Sequence, residues 1–317
     1  MPVVTIGLSL HRPEMAPLLR KYMQKHDALF LEEPPTEAFD AMLSGRMSVG
    51  EYLDVVDTEY PRFEAIMCLT LRELKSQGKG IFPVEPYLEN LIALHDHFAE
   101  GGRPDELDRE TLTYLVYLAE KKATGALISY YQTAAAGSFE MIVDAARRFA
   151  RIDAERFRLR DALRSQALTS LINVQAASFI EAGAMHYRLT NLIRRRATPG
   201  TEVETIFLAG DILKSWEEKG HLYGPGDQLT LLYIFHPAIE DKDRETLLAA
   251  RALIYSKIVF KGELDADRIP YPHLRDELQC IKLTRQLSVD DCRQLFARIR
   301  GVDTSDARKI VFEYARA

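Results

Sequence analysis

Four apolar residues of high strand propensity, Val3, Val4, Ile6 and Leu8, begin the chain's organising stretch, and His11-Arg12-Pro13-Glu14 follows almost at once. So short and apolar a run suits a strand buried on both faces, as in a parallel sheet covered by helices. Pro13 sits where a helix would begin, and Glu14 beside it favours the positive helix end. Met15, Leu18, Leu19 and Met23 continue at helical spacing. Ala28–Leu31 is then a second apolar run, ending in Glu32-Glu33-Pro34-Pro35. The pattern predicts one βαβ unit with parallel strands and a right-handed crossover. His11 and the two glutamates then emerge at one edge, outside the carboxyl ends of the strands, where open α/β folds carry their sites. Glu32 and Glu33 are adjacent, so a continuing strand turns only one of them toward that site.

The same design recurs along the chain. Residues 81–84 read as a third strand closed by Glu85, and Pro83 favours an edge position. Residues 176–181 read as a fourth strand, followed by Gly183-Ala184-Met185-His186 and a helix to Arg196; residues 202–208 read as a fifth. Between the third and fourth, residues 107–171 are helical in composition, with breaks expected at Gly125 and Gly137. The later part carries Arg147, Arg148, Arg151, Arg156, Arg158, Arg160 and Arg164, interleaved with acidic residues as on a solvated, ion-paired face. Past a loop around Gly220 the reading is helical throughout, with Ser288 and Thr304 as N-caps. The expected fold is α/β: a small, mostly parallel sheet with a long helical insertion, followed by an all-helical C-terminal region. The expected domains are residues 1–220, with the insertion at about 107–171, and residues 221–317.

A chain of 317 residues accommodates two such parts. Its net charge of −6 disfavours a general nucleic-acid or anionic-membrane surface. Cys68, Cys280 and Cys292 are too few and too scattered for a disulfide framework or a cysteine zinc site. No signal peptide and no apolar stretch of membrane-spanning length is visible, so the expected location is cytoplasmic.

Several stretches carry a resemblance: SLH at residues 9–11, FLEEPPTEAFDAMLSG at 30–45, GKGIFPVEP at 78–86, FRLRDALRSQAL at 157–168 and EAGAMHYRL at 181–189. Over about residues 1–210 the chain resembles the erythromycin-esterase/ChaN/TraB/Tiki-like superfamily. The resemblance implies an α/β core and a site of histidines, glutamates and arginine, with Arg160-Asp161 matching the family's Arg-Asp pair. The chain departs from the family at its first motif, where Leu8 stands at the position of the family's glycine.

The candidate site residues are His11, Glu32, Glu33, Arg160 and His186, with Glu85 in a similar position after its strand. His11, Glu32 and His186 are the right kinds of ligand for a divalent metal. The leading expectation is a hydrolase of ester or peptide bonds acting on a small-molecule or peptide substrate. In it a histidine deprotonates water, a glutamate orients it, and Arg160 stabilises developing charge. The alternative is a non-catalytic ligand- or haem-binding protein. In either case the helical C-terminal region offers a surface for a second copy or a protein partner. Both histidines are expected at strand ends facing a polar cleft, dispensable for packing. His95-Asp96-His97 points the two imidazoles to opposite sides of a helix and does not chelate.

Overall fold

The computed structural model describes residues 3–56, 58–172, 177–218, 222–264 and 269–315. It forms two compact units, Met1–Tyr117 with Arg158–His221, and Leu118–Phe157 with Leu222–Ala317. The expected boundary at Gly220 lies outside the described residues. The expected insertion divides differently: residues 118–157 group with the C-terminal helices instead of with the α/β part. The physical reason is the core of the second unit, in which Ile142, Val143, Ala150 and Ala154 are buried together with Leu229, Leu253, Ile281's neighbour Cys280, and Leu295.

The first unit is built on five strands: β1 (Val3–Ser9), β2 (Ala28–Leu31), β3 (Gly80–Pro83), β4 (Ala177–Gly183) and β5 (Glu202–Phe207). All observed pairings are parallel, and the order is β3-β2-β4-β1-β5. β1 and β2 are the parallel strands of one βαβ unit, as the sequence pattern has them; the crossover skips one position, and β4 pairs with both. The expected start of the fourth strand at residue 176 lies outside the described residues, and β4 runs two residues past Glu181.

Alternation along the strands divides the core. Val4, Ile6 and Leu8 of β1, Phe30 of β2 and Ile180 of β4 face one layer, against Leu168, Leu189 and Ile193. Leu29, Leu31 and Phe179 face the other, against Leu19, Met23, Phe63, Met67 and Leu71. Gly7 is needed for that second layer, because a Cβ there would come within 2.3 Å of the Phe179 ring. Burying a large aliphatic or aromatic side chain this way stabilises by about 1.5–3 kcal/mol each. The layer therefore outweighs the preference of Gly7 for disorder by a wide margin.

Thr36 caps the helix Glu37–Leu43 by accepting from the Phe39 amide at 3.2 Å, and Gly45 after it takes φ +80°, as a left-handed helix end requires. Gly125 does not break its helix, which runs Leu112–Ala136; the break comes at Gly137, before Phe139–Ile172. The second unit continues with Pro225–Phe235, Lys242–Ile258, Pro272–Arg285, Val289–Ile299 and Thr304–Tyr314. Ser288 caps as expected, whereas Asp303 rather than Thr304 caps the last helix, its carboxylate accepting from the Asp306 amide. Among the described residues no helix is long and apolar enough to cross a membrane.

Candidate functional site

The strand order explains how the site is assembled. Because β4 lies between β2 and β1, the end of β4 stands between the segments that follow them. The register pairs Gly7 with Glu181 and Ser9 with Gly183. His11 comes off β1, Glu32 and Glu33 come off β2, Glu85 follows β3, and Glu181 to His186 close β4. All these segments leave the carboxyl edge of the sheet, where the sequence pattern locates them.

Glu32 is the hub. Its Oε1 accepts from Arg160 Nη2 at 2.9 Å and faces His186 Nε2 at 2.9 Å. Its Oε2 accepts from the Gly183 amide at 2.6 Å, with Arg164 Nη1 at 3.5 Å. Burial works against the charge of Glu32, yet His186, Arg160 and Arg164 together hold the carboxyl well below its usual range. His186 is buried, and its Nδ1 lies 2.6 Å from Asp161 Oδ1. Burial alone would lower the pKa of His186. Glu32 and Asp161 reverse that, and it is raised to about 9. An imidazolium that donates to a carboxylate from each nitrogen accounts for both contacts.

Arg160 and Arg164 are one helical turn apart and both reach Glu85, at 3.5 Å each. Glu85 is fully buried, and burial raises its pKa although the two arginines oppose the shift. Arg164 also donates to the carbonyls of Val84 and Glu181, at 2.9 and 2.7 Å, tying β3's exit to β4. Glu85 and Arg164 therefore form the floor beneath Glu32.

His11 stands on the other side. Its ring stacks on Phe63 at 5.2 Å, and its Nε2 lies 3.4 Å from Glu181 Oε1 without a hydrogen-bond partner. Burial opposes the charge on His11; the nearby Glu181 carboxylate, then Glu32 and Glu64, raise its pKa to about 9. Glu181 Oε2 accepts from the Glu32 amide at 3.0 Å. Among the described residues, His11, Glu32 and Glu181 offer ligand atoms that all lie within 4.8 Å of one another. A cavity of about 40 Å³ adjoins them, bordered also by Glu33, Glu64, Phe63 and Cys68. Burial pushes the Cys68 thiol up to about 12, with Glu64 and Glu33 adding to it, so the thiolate form is disfavoured here. Burial likewise pushes the Glu33 carboxyl up to about 8, reinforced by Glu64 and Glu181.

The structure thus brings together His11, Glu32, Glu33, Arg160 and His186, and it corrects three expectations about them. β2 ends at Leu31, so strand alternation does not apply to Glu32 and Glu33, and both border the site. His186 is not with His11 in the cluster of candidate ligands, because its nitrogens are engaged by Asp161 and Glu32; Glu181 takes the third place. His186 is also a buried, doubly paired group rather than a dispensable cleft residue. Glu181 and Glu64 were not singled out by the sequence pattern. Glu181 did leave a signal: it is the one carboxylate within an otherwise apolar or small strand, ASFIEAG.

Fold and site together define an all-parallel α/β protein with a histidine–glutamate–arginine centre at the carboxyl edge of its sheet. The chain belongs to the same family as an uncharacterized protein of Archaeoglobus fulgidus, with which it shares 31% identity over 288 residues, covering 90% of this chain and 95% of that protein. No family model matches the chain, and no solved structure matches it.

Proposed function

We propose that the α/β unit is a metal-dependent hydrolase of ester or peptide bonds, a divergent member of the erythromycin-esterase/ChaN/TraB/Tiki-like superfamily. The observation that carries this reading is the convergence of His11, Glu32 and Glu181 beside a cavity of about 40 Å³. That volume suits a cation with one or two waters, since a single water needs roughly 10–15 Å³ of such space. The donor set fits a divalent ion. One imidazole and two carboxylates leave coordination positions open, and His11 Nε2 is buried without a hydrogen-bond partner. When bound, such an ion would supply Lewis acidity and make a water more acidic.

The protein's own groups do the rest. Arg160, Arg164 and His186 fix the Glu32 carboxylate from three directions, so Arg160 acts by orienting Glu32. Asp161 holds His186 in turn. Glu33, whose carboxyl burial pushes up, borders the same cavity and is the acid this reading assigns to the leaving group. Phe63, Leu31, Phe39 and Leu71 line the cavity and exclude bulk water. A porphyrin is far larger than this cavity, so the haem-binding alternative draws no support from it. The reading includes a cytoplasmic location, in keeping with three free, buried cysteines, and a small-molecule or peptide substrate.

The test is hydrolysis of chromogenic esters and fluorogenic peptides by EDTA-stripped protein with Zn²⁺, Mn²⁺ or Co²⁺ restored, in wild type and Glu181→Gln. The reading expects activity only with metal, reduced about a hundredfold or more in the variant. Metal-independent turnover, equal turnover by the variant, or no turnover on either substrate class would count against it.

A further inference from the structure

The helical unit holds a second polar centre that the proposed hydrolysis does not use. Arg147, Arg148 and Arg151 lie close together on the helix Phe139–Ile172. With Asp144, Tyr233 and Glu245 they line a cavity of about 420 Å³. Glu245 is buried, and its Oε2 accepts from Arg147 Nη2 at 3.0 Å, Arg151 Nη2 at 3.2 Å and the Tyr233 hydroxyl at 2.5 Å. Arg151 also donates to the carbonyls of Pro237 and Ile239, and its guanidinium lies 4.2 Å from the Tyr233 ring centroid. Two guanidinium groups are therefore held in place before anything binds, which removes much of the ordering cost of using them.

The charges do not cancel. Three arginines face two carboxylates, and one of these, Asp144, is largely exposed to solvent and, among the described residues, paired only with Arg147 Nη1. Arg148 makes no hydrogen bond or ion pair among the described residues. The wall also includes Met141, an apolar surface against which the body of a ligand can rest. Planar guanidinium groups recognise phosphate and carboxylate oxygens by paired hydrogen bonds. The volume lies within the usual range of small-molecule sites, about 300–1,000 Å³.

We propose that this cavity binds a compact oxyanion group, the phosphate or carboxylate of a small molecule, with Arg148 as its free cation and Arg147 and Arg151 as preset partners. Glu245 is a positioning residue that orients the two preset arginines. The experiment is calorimetric titration of the full chain with inorganic phosphate and, separately, with citrate, at constant ionic strength set by sodium chloride. Saturable binding of at least one anion is expected, with a dissociation constant below about 1 mM. Because Arg148 is exposed and makes no hydrogen bond or ion pair among the described residues, R148A should stay folded and bind about tenfold more weakly, and R148K should retain part of the affinity. R109A removes an exposed arginine elsewhere and should bind as wild type does. If neither anion binds saturably up to about 10 mM, the proposal is overturned. It is equally overturned if R148A binds as tightly as wild type, or no more weakly than R109A.

Discussion

Replacing His186 by alanine should destabilise the α/β unit by about 3 kcal/mol near pH 6, and the loss should fade as the pH rises. His186 is 2% exposed and sits between Asp161, at 2.6 Å, and Glu32, at 2.9 Å. Removing one member of a buried ion pair costs about 3–5 kcal/mol, because the other charge is left without compensation. Arg160 and Arg164 remain to hold Glu32, so the damage falls mainly on Asp161, which favours the lower end of that range. The titration of the imidazole gives a second measure. A rise from 6.5 to about 9 on folding corresponds to about 3 kcal/mol. Because the folded value is the higher one, this stabilisation is complete below about pH 6.5 and is lost as pH rises through about 9. The chain has one tryptophan, Trp216, and it belongs to the α/β unit, so urea unfolding followed by its fluorescence reports on that unit. The measurement is made with EDTA present, on wild type and His186→Ala, from about pH 6 to 10. A difference below about 1 kcal/mol at pH 6, the size of an ordinary surface change, would refute the buried ion-pair argument. A difference that stayed constant with pH would show that His186 contributes packing alone.

Two other outcomes follow from the site. Glu33 has its ordinary value of 4.5 raised to about 8, so in metal-free protein its contribution to stability is present below about pH 4.5 and is lost as pH rises through about 8. Glu33→Gln should flatten the stability curve over that interval, and urea midpoints that track wild type at every pH would argue against a buried, protonated Glu33. At Gly183 a Cβ would make ordinary contacts, 3.5 Å from Glu32 Oε2, 3.6 Å from His186 and 3.8 Å from His11 Nε2. Gly183→Ala should therefore fold with a change within about 1 kcal/mol, yet weaken cation binding about tenfold by filling space between the ligands; unchanged binding in equilibrium dialysis would show that the cation lies elsewhere.

The strand-forming runs, the carboxyl-edge location of the site and most C-terminal helices were legible because each rests on local chemistry: apolar periodicity, Pro and Gly punctuation, and capping at Thr36 and Ser288. What stayed hidden depended on pairing across long sequence separations. Nothing local in residues 3–35 indicates that β4 will insert between β1 and β2, and that insertion is what carries Glu181 to His11. The strand reading of Glu32-Glu33 failed because β2 stops at Leu31, and a strand's end is set by its neighbours as much as by its own residues. His186 reads identically as an open cleft histidine or a buried one, since only the helix carrying Asp161 decides. Apart from Arg160, the basic stretch at residues 147–164 reads as a solvated, ion-paired face. In the fold its residues serve two different centres, Arg160 and Arg164 around Glu32, and Arg147 and Arg151 around Glu245.

The central claim, that His11, Glu32 and Glu181 hold a divalent cation, is tested most directly by metal stoichiometry. Protein stripped with EDTA is dialysed against Zn²⁺ or Mn²⁺ and analysed for bound metal, alongside His11→Ala and Glu181→Gln, with Trp216 fluorescence confirming that each variant is folded. The account predicts one tightly held ion per wild-type chain and a loss of affinity of about a hundredfold or more in both variants. Wild-type protein that retains no stoichiometric metal, or folded variants that retain as much as wild type, would contradict it.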